Sequence, residues 1–344
     1  MKLNGSTVAI IGAGLLGRLF AWRLSEAGAV VSVFEKDSEQ ANTAAAFTAA
    51  GMVSPLSEVA VGGKKLFDLG ERSLTLWQQW LGEDAEQVEW QANGSLILAH
   101  GQDLPLLQQF TRDAEYQGVG QDHWQRLTPI ELANIEPQLN NRFANAIYAK
   151  GEAALNGRKL LPWLANKLSQ VNWHWSTPIN DLEALQADFD LVIDCRGKGA
   201  KGIRGVRGEV MHVHAPDVTL KHPLRLMHPR YHIYVVPREN HHFVIGATEL
   251  ESEDRGAMTV RSTLELASAL YSIHPGFGEG RIVEMDANLR PATPDNMPVV
   301  SQQDNLLTVN GLYRHGYLLA PAVIADVLSM VTELQQPWFY KEAL

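Results

Sequence analysis

Val8-Ala9-Ile10-Ile11-Gly12-Ala13-Gly14-Leu15-Leu16-Gly17 decides the fold of this 344-residue chain. Four apolar residues read as a short buried strand, and Gly-x-Gly-x-x-Gly then opens a helix predicted over 15–27. Gly12 permits the tight turn, Gly14 lets a pyrophosphate approach the backbone, and Gly17 lets helix pack on strand. Free N–H groups and the dipole at such a helix N-terminus favour an anion. A second strand, predicted over 29–34, ends in Glu35. That acid stands 23 positions after Gly12, near the ~20 expected for a ribose ligand. A glycine-rich turn alone also serves packing. Strand, helix, second strand and terminal acid together predict dinucleotide binding.

Downstream, 36–58 is rich in small residues, including Ala49, Ala50, Gly51 and Met52. It reads as a loop and helix start lying against a flat cofactor, with a plain alanine-rich helix as the alternative. The spacing of Leu66, Leu69, Leu74, Trp77 and Trp80 predicts an amphipathic helix over 64–81. Strands are predicted over 95–99, 171–176, 189–194, 208–214, 231–237, 243–247, 281–285 and 306–309. Helices are predicted over 104–117, 129–135, 156–170, 260–274 and 317–334, with Thr128 capping the second and Pro129 at its first position. The strand over 189–194 leads into Cys195-Arg196-Gly197, where the backbone can again approach a cofactor. With no repeat and no linker, two domains are expected to interleave.

Composition narrows the function. The chain is 45% hydrophobic and 20% charged, with net charge −10. This acidic balance, without a basic block, argues against nucleic acid and against an anionic membrane surface. Cys195 is the one cysteine, so no intrachain disulfide forms. No signal peptide and no segment of ~20 apolar residues is read from the sequence, which points to a cytoplasmic protein.

Later stretches resemble a known family. They are Arg207-Gly208-Glu209, His232-Ile233-Tyr234-Val235-Val236-Pro237-Arg238, Val244-Ile245-Gly246-Ala247-Thr248, Leu289-Arg290-Pro291-Ala292-Thr293-Pro294-Asp295 and Arg314-His315-Gly316-Tyr317-Leu318-Leu319-Ala320-Pro321. With the glycine turn, Glu35-Lys36 and Ala49-Ala50-Gly51-Met52, they resemble the D-amino-acid oxidase family of flavoproteins, and within it the glycine oxidases of thiamine biosynthesis. The resemblance covers essentially the whole chain, and it is what indicates FAD over NAD. It implies an α/β fold, with a Rossmann-like FAD-binding domain of the glutathione-reductase type (1–84, 146–202 and 288–344). Interleaved with it is an α+β substrate domain built on an antiparallel sheet (85–145 and 203–287). It also implies transfer of the Cα hydride of a small amino acid to FAD, release of the imine, and return of the electrons to O2 as H2O2. A homotetramer and delivery of the imine of glycine to thiazole synthase follow from the same resemblance.

The resemblance assigns residues to FAD as well. Gly12, Ala13, Gly14, Leu15, Leu16 and Gly17 would hold the pyrophosphate, Glu35 the adenosine ribose, and Ile179 the adenine through its backbone, with Lys36 also at the cofactor. Ala49 to Met52, Cys195 to Gly197, Arg290, Arg314, His315, Gly316, Tyr317 and Leu318 complete the set. The helix N-terminus near Gly316 would face the pyrimidine side of the flavin. Ala292 and Asn296 stand where the family often has glycine. No cysteine lies near Asn288, where the covalent branch links its flavin, so the FAD is expected to be non-covalent. Cys195 reads as a reduced core thiol.

An amino acid presents a carboxylate, and a guanidinium fork matches it with two charge-assisted bonds. Arg290 is the candidate. Arg314 either assists or braces the loop above the cavity. His232 and Tyr234 lie two apart on a strand and share a face. Tyr234 is expected to donate to the substrate carboxylate, His232 to line the pocket and Met52 to pack near the flavin. Little charge beyond the clamp is expected, which would favour a neutral substrate amine by desolvation. No protein base is needed. His212, His214, His241 and His242 lack a third metal ligand. A quinone-linked dehydrogenase and a non-catalytic flavoprotein are the alternatives.

Overall fold

The computed structural model describes residues 2–230, 233–333 and 337–341. Thr7–Ile11 lies inside a six-stranded sheet. Val30–Phe34 pairs with it in parallel on one side and Leu191–Asp194 on the other. Asn172–His174 extends the sheet beyond Val30–Phe34, and Leu306–Asn310 beyond Leu191–Asp194, both in parallel. Val299–Gln303 closes that edge antiparallel. Val8, Ala9 and Ile10 are fully buried, as expected where helices cover both faces of a parallel sheet and the strand reads as one apolar run.

The helix Leu15–Glu26 follows the glycine turn directly. Inside it, Arg18 is completely buried, which the apolar pattern does not announce. Its guanidinium donates to the carbonyls of Ala13 at 2.7 Å, Leu161 at 2.6 Å and Glu39 at 2.7 Å. It also lies 5.1 Å from the Trp175 ring. One side chain thus fastens the turn to two distant segments, with each guanidinium nitrogen hydrogen-bonded as burial requires.

The predicted helix over 64–81 begins earlier, as Pro55–Leu81, with a break at Gly63, whose φ is 67°. Pro55 stands in its first turn. The buried Glu152 carboxylate accepts the Ser57 N–H at 2.9 Å and so caps a helix start that local spacing does not mark. The last helix, Gly316–Glu333, packs on both Pro55–Leu81 and Leu15–Glu26. Contrary to the expectation that no segment reaches the length and apolarity of a membrane span, Tyr313–Glu333 does, with mean hydropathy 1.4. Most of it is buried inside the protein, against these two helices.

A second sheet has eight strands. Their order is Arg281–Ala292, Arg204–His214, His242–Gly246, Ile233–Arg238, Leu224–Met227, Ser95–Ala99, Ala146–Ala149 and Trp124–Leu127. It is antiparallel except where Leu224–Met227 runs parallel to Ser95–Ala99, a departure from the wholly antiparallel sheet expected. Residues 146–149, grouped with the FAD-binding part by sequence, pair in this sheet. Arg281–Ala292 is longer than the strand predicted over 281–285 and pairs along the full length of Arg204–His214. That extension carries Arg290 from the sheet edge to the cavity.

Candidate active site

Residues from both sheets line one cavity of about 980 Å³, near the upper size for a small-molecule site. Gly12, Ala13, Gly14, Leu15, Leu16, Glu35, Lys36, Ile179, Cys195, Arg196 and Gly197 face it from the nucleotide-binding sheet. Ala49, Ala50, Gly51 and Met52 join them, as do His315, Gly316, Tyr317 and Leu318 around the start of the last helix. Tyr234, Arg290 and Arg314 face the same cavity. Gly17 does not line it. A Cβ there would overlap the Gly12 carbonyl oxygen and lie 3.0 Å from its carbon, so Gly17 serves the packing of helix on turn. His232 lies outside the described residues.

The turn fits a pyrophosphate. Gly12 has φ +97°, and a Cβ on it would sit 2.8 Å from the Cys195 carbonyl oxygen. Gly14, by contrast, has open space where a Cβ would be. As N-cap it offers no side chain to the first turn of the helix, so those N–H groups are left for an anionic ligand. Glu35 Oε2 accepts the Ala13 N–H at 2.6 Å and Oε1 the Asp37 N–H at 3.0 Å. The carboxylate therefore braces the glycine turn and faces the cavity together. Glu35→Ala is expected to weaken FAD binding by roughly 1.5–3 kcal/mol, the range for hydrogen bonds to charged groups. Titration of apoprotein with FAD checks this, and an unchanged affinity would place the ribose elsewhere.

Arg196 lines the cavity but is not a free cation. Its Nη2 meets Asp194 Oδ2 at 2.7 Å and its Nε meets Oδ1 at 3.0 Å. Cys195 is buried, and burial pushes its thiol well up, so it stays protonated. Met52 pairs with Ala154 in a two-stranded ribbon and packs beside Tyr234 and Ala247 in one apolar cluster.

Arg290 is half-buried. It donates to two carbonyls, Arg207 O at 3.2 Å and Thr248 O at 3.0 Å. Among the described residues it makes no ion pair. Its guanidinium fills the space above Gly208, where any Cβ would collide with it. Tyr234 stands opposite Gly246 in the sheet, and a Cβ on Gly246 would lie 2.6 Å from the tyrosine oxygen. Two glycines on neighbouring strands thus make room for the two groups predicted to hold a carboxylate. Burial raises the Tyr234 pKa, partly offset by the Arg290 and Arg314 charges, so the phenol remains a donor.

Arg314 is a brace. Its Nη2 meets Glu58 Oε2 at 2.8 Å and its Nη1 meets Glu249 Oε2 at 2.9 Å. Tyr313 also donates to Glu249, at 2.5 Å. Burial raises the Glu58 pKa, but Arg314, His315 and Arg225 outweigh it and hold the carboxyl down at about 2. Burial lowers His315 to about 4, leaving a neutral imidazole at neutral pH. The site is therefore richer in charge than expected: Glu58, Glu249 and Arg225 also line it. Glu249 directly follows the quoted Gly246-Ala247-Thr248 and was within reach of the sequence. Arg225 sits on a four-residue strand with no motif to flag it.

The sequence pattern of the DAO family, described as FAD dependent oxidoreductase, matches residues 7–329. The chain belongs to that family and depends on FAD. It is 37% identical over 335 residues to the putative thiamine biosynthesis oxidoreductase ThiO of Rhizobium etli, covering 96% of this chain and 98% of that protein. It is 25% identical to the bifunctional protein ThiO/ThiG of Nostoc, where the match spans 95% of this chain and 52% of the relative. Among solved structures, glycine oxidase from Geobacillus kaustophilus superimposes with a TM-score of 0.81 at 23% identity, covering 97% of this chain and 96% of that one.

Proposed function

We propose that this protein oxidises glycine, or another small D- or N-methyl amino acid, to its imine, with O2 reduced to H2O2. The observation that carries the reading is Arg290, a cavity guanidinium anchored by carbonyls and making no ion pair among the described residues. Such a fork, with the Tyr234 hydroxyl beside it, suits a substrate carboxylate. The similarity to ThiO of Rhizobium etli and to glycine oxidase supports the substrate class.

Bound FAD supplies two-electron chemistry. The chain's residues do the rest. Gly12 to Leu16 and Glu35 hold the pyrophosphate and ribose. Arg290 and Tyr234 fix the carboxylate and thereby orient Cα, which is the main source of rate when no protein base acts. Arg314 is neutralised by Glu58 and Glu249, so it shapes the wall without competing for the substrate. The buried Cys195 and the lack of a cysteine near Asn288 support non-covalent FAD. Residues 1–84, 146–202 and 288–344 are assigned to the FAD-binding part and 85–145 and 203–287 to the substrate part, with 146–149 moved to the latter because they pair in its sheet. The protein acts in the cytoplasm as a homotetramer, as the family resemblance implies, and passes its imine to thiazole synthase; the bifunctional ThiO/ThiG relative supports the hand-over alone.

Tyr234→Phe deletes one hydroxyl and is expected to weaken substrate binding by about 0.5–3 kcal/mol, with the upper end applying to a charged acceptor. Stopped-flow flavin reduction reads it, and an unaltered Kd removes Tyr234 from the clamp. The activity is tested by H2O2 release from glycine, sarcosine, D-alanine and D-proline. A purified FAD-loaded protein that produces peroxide from none of them contradicts the proposal.

A further inference from the structure

We propose that Arg225 forms a second anion-recognition point in the substrate cavity, selecting small amines that carry two acidic groups. This rests on the amino acid oxidation reading for the first point, Arg290.

Arg225 and Tyr234 are direct cross-strand partners, so their side chains leave the sheet on one face, with Cβ atoms roughly 4.5–5.5 Å apart. Both line the cavity. Arg225 stands against the Phe110 ring, 6.0 Å from its centroid. Among the described residues its hydrogen bond is from Nη1 to the Ser57 carbonyl, which commits a small part of a five-donor fork. It makes no ion pair among those residues, whereas Arg314 makes two.

The acids that act on Arg225 are Glu58 and Glu152, and both are engaged elsewhere. Glu58 is turned to Arg314. Glu152 accepts the Ser57 N–H and the hydroxyls of Ser57 and Ser95. Burial also pushes its carboxyl up to about 7, so near neutrality it offsets Arg225 only in part. A half-buried guanidinium whose nearby carboxylates bond to other groups is only partly compensated, and a ligand carboxylate would relieve that cost bidentately. With an α-carboxylate on Arg290 and Tyr234, a second carboxylate would reach Arg225 on the strand next to Tyr234, as in a dicarboxylate such as D-aspartate or N-(carboxymethyl)glycine.

The test uses FAD-loaded protein and the non-oxidisable probes malonate and succinate against their mono-amides, read by perturbation of the flavin spectrum. The wild-type chain is expected to bind each diacid at least about ten-fold more tightly than its mono-amide, a difference of about 1.4 kcal/mol. In Arg225→Gln the ratio should fall to within about two-fold, and Arg225→Lys should lie between, as a point charge without the fork. A wild-type ratio near one, or a wild-type ratio kept in Arg225→Gln, overturns the proposal. Should Arg225→Gln fail to retain FAD, Arg225→Lys decides: a reduced ratio supports the site and an unchanged one refutes it. Glycine oxidation is measured separately. Absence of peroxide from glycine, sarcosine, D-alanine, D-proline and the two diacid amines alike, beside an intact Arg225-dependent ratio, removes the oxidase reading and leaves the anion site standing.

Discussion

Arg290→Ala raises the substrate Kd by about 30-fold to several-thousand-fold while FAD stays bound. The expectation follows from what Arg290 touches. Its two anchors are the carbonyls of Arg207, in the eight-stranded sheet, and of Thr248, just beyond the strand His242–Gly246, and Gly208 leaves open the space its head occupies. Truncation removes a charge-assisted, bidentate contact from a largely desolvated cavity, which costs about 2–5 kcal/mol, and each 1.4 kcal/mol is tenfold. Arg290→Lys recovers part of the loss, since an ammonium restores the charge but not the fork. Anaerobic flavin reduction by glycine and sarcosine measures both variants. A wild-type concentration dependence in Arg290→Ala would show that the carboxylate is held elsewhere.

Gly17→Val is expected to abolish FAD retention and lower stability by about 3 kcal/mol or more. Overpacking a core ordinarily costs about 1–3 kcal/mol. Here the collision is with the backbone of Gly12, and the Ile10 side chain stands 3.3 Å from the added Cβ. Neither can swing aside as a side-chain tip would, so the helix must slide off the turn. That movement displaces the uncapped N–H groups at the start of Leu15–Glu26, which are the proposed pyrophosphate contacts. Loss of bound FAD removes its own stabilising contribution in addition. The flavin absorbance of the purified variant and its melting temperature report the two effects. A yellow, normally stable Gly17→Val would refute the packing role.

What the sequence showed was local. The glycine turn, Glu35 and the flanking strands are encoded within one stretch, because turn sterics and strand burial act between near neighbours. The Thr128 cap is of the same kind, and Glu131 completes its capping box in the structure. What stayed hidden depends on distant partners. Arg314 could either bind substrate or brace a loop, and the answer lies with Glu58, 256 positions away, and Glu249, 65 positions away. Leu224–Met227 escaped detection because it is four residues long and takes its burial from Ile233–Arg238 and Ser95–Ala99. With it went Arg225. The space that Gly208 and Gly246 make for Arg290 and Tyr234 exists only once the strands are paired.

Anaerobic titration of the FAD-loaded protein with glycine tests the central claim most directly, followed by admission of air. The flavin absorbance is expected to bleach without air, then to recover fully with H2O2 formed in equal amount to the flavin reoxidised. A flavin that glycine, sarcosine, D-alanine and D-proline all leave oxidised, or one that bleaches and stays reduced in air, would contradict it.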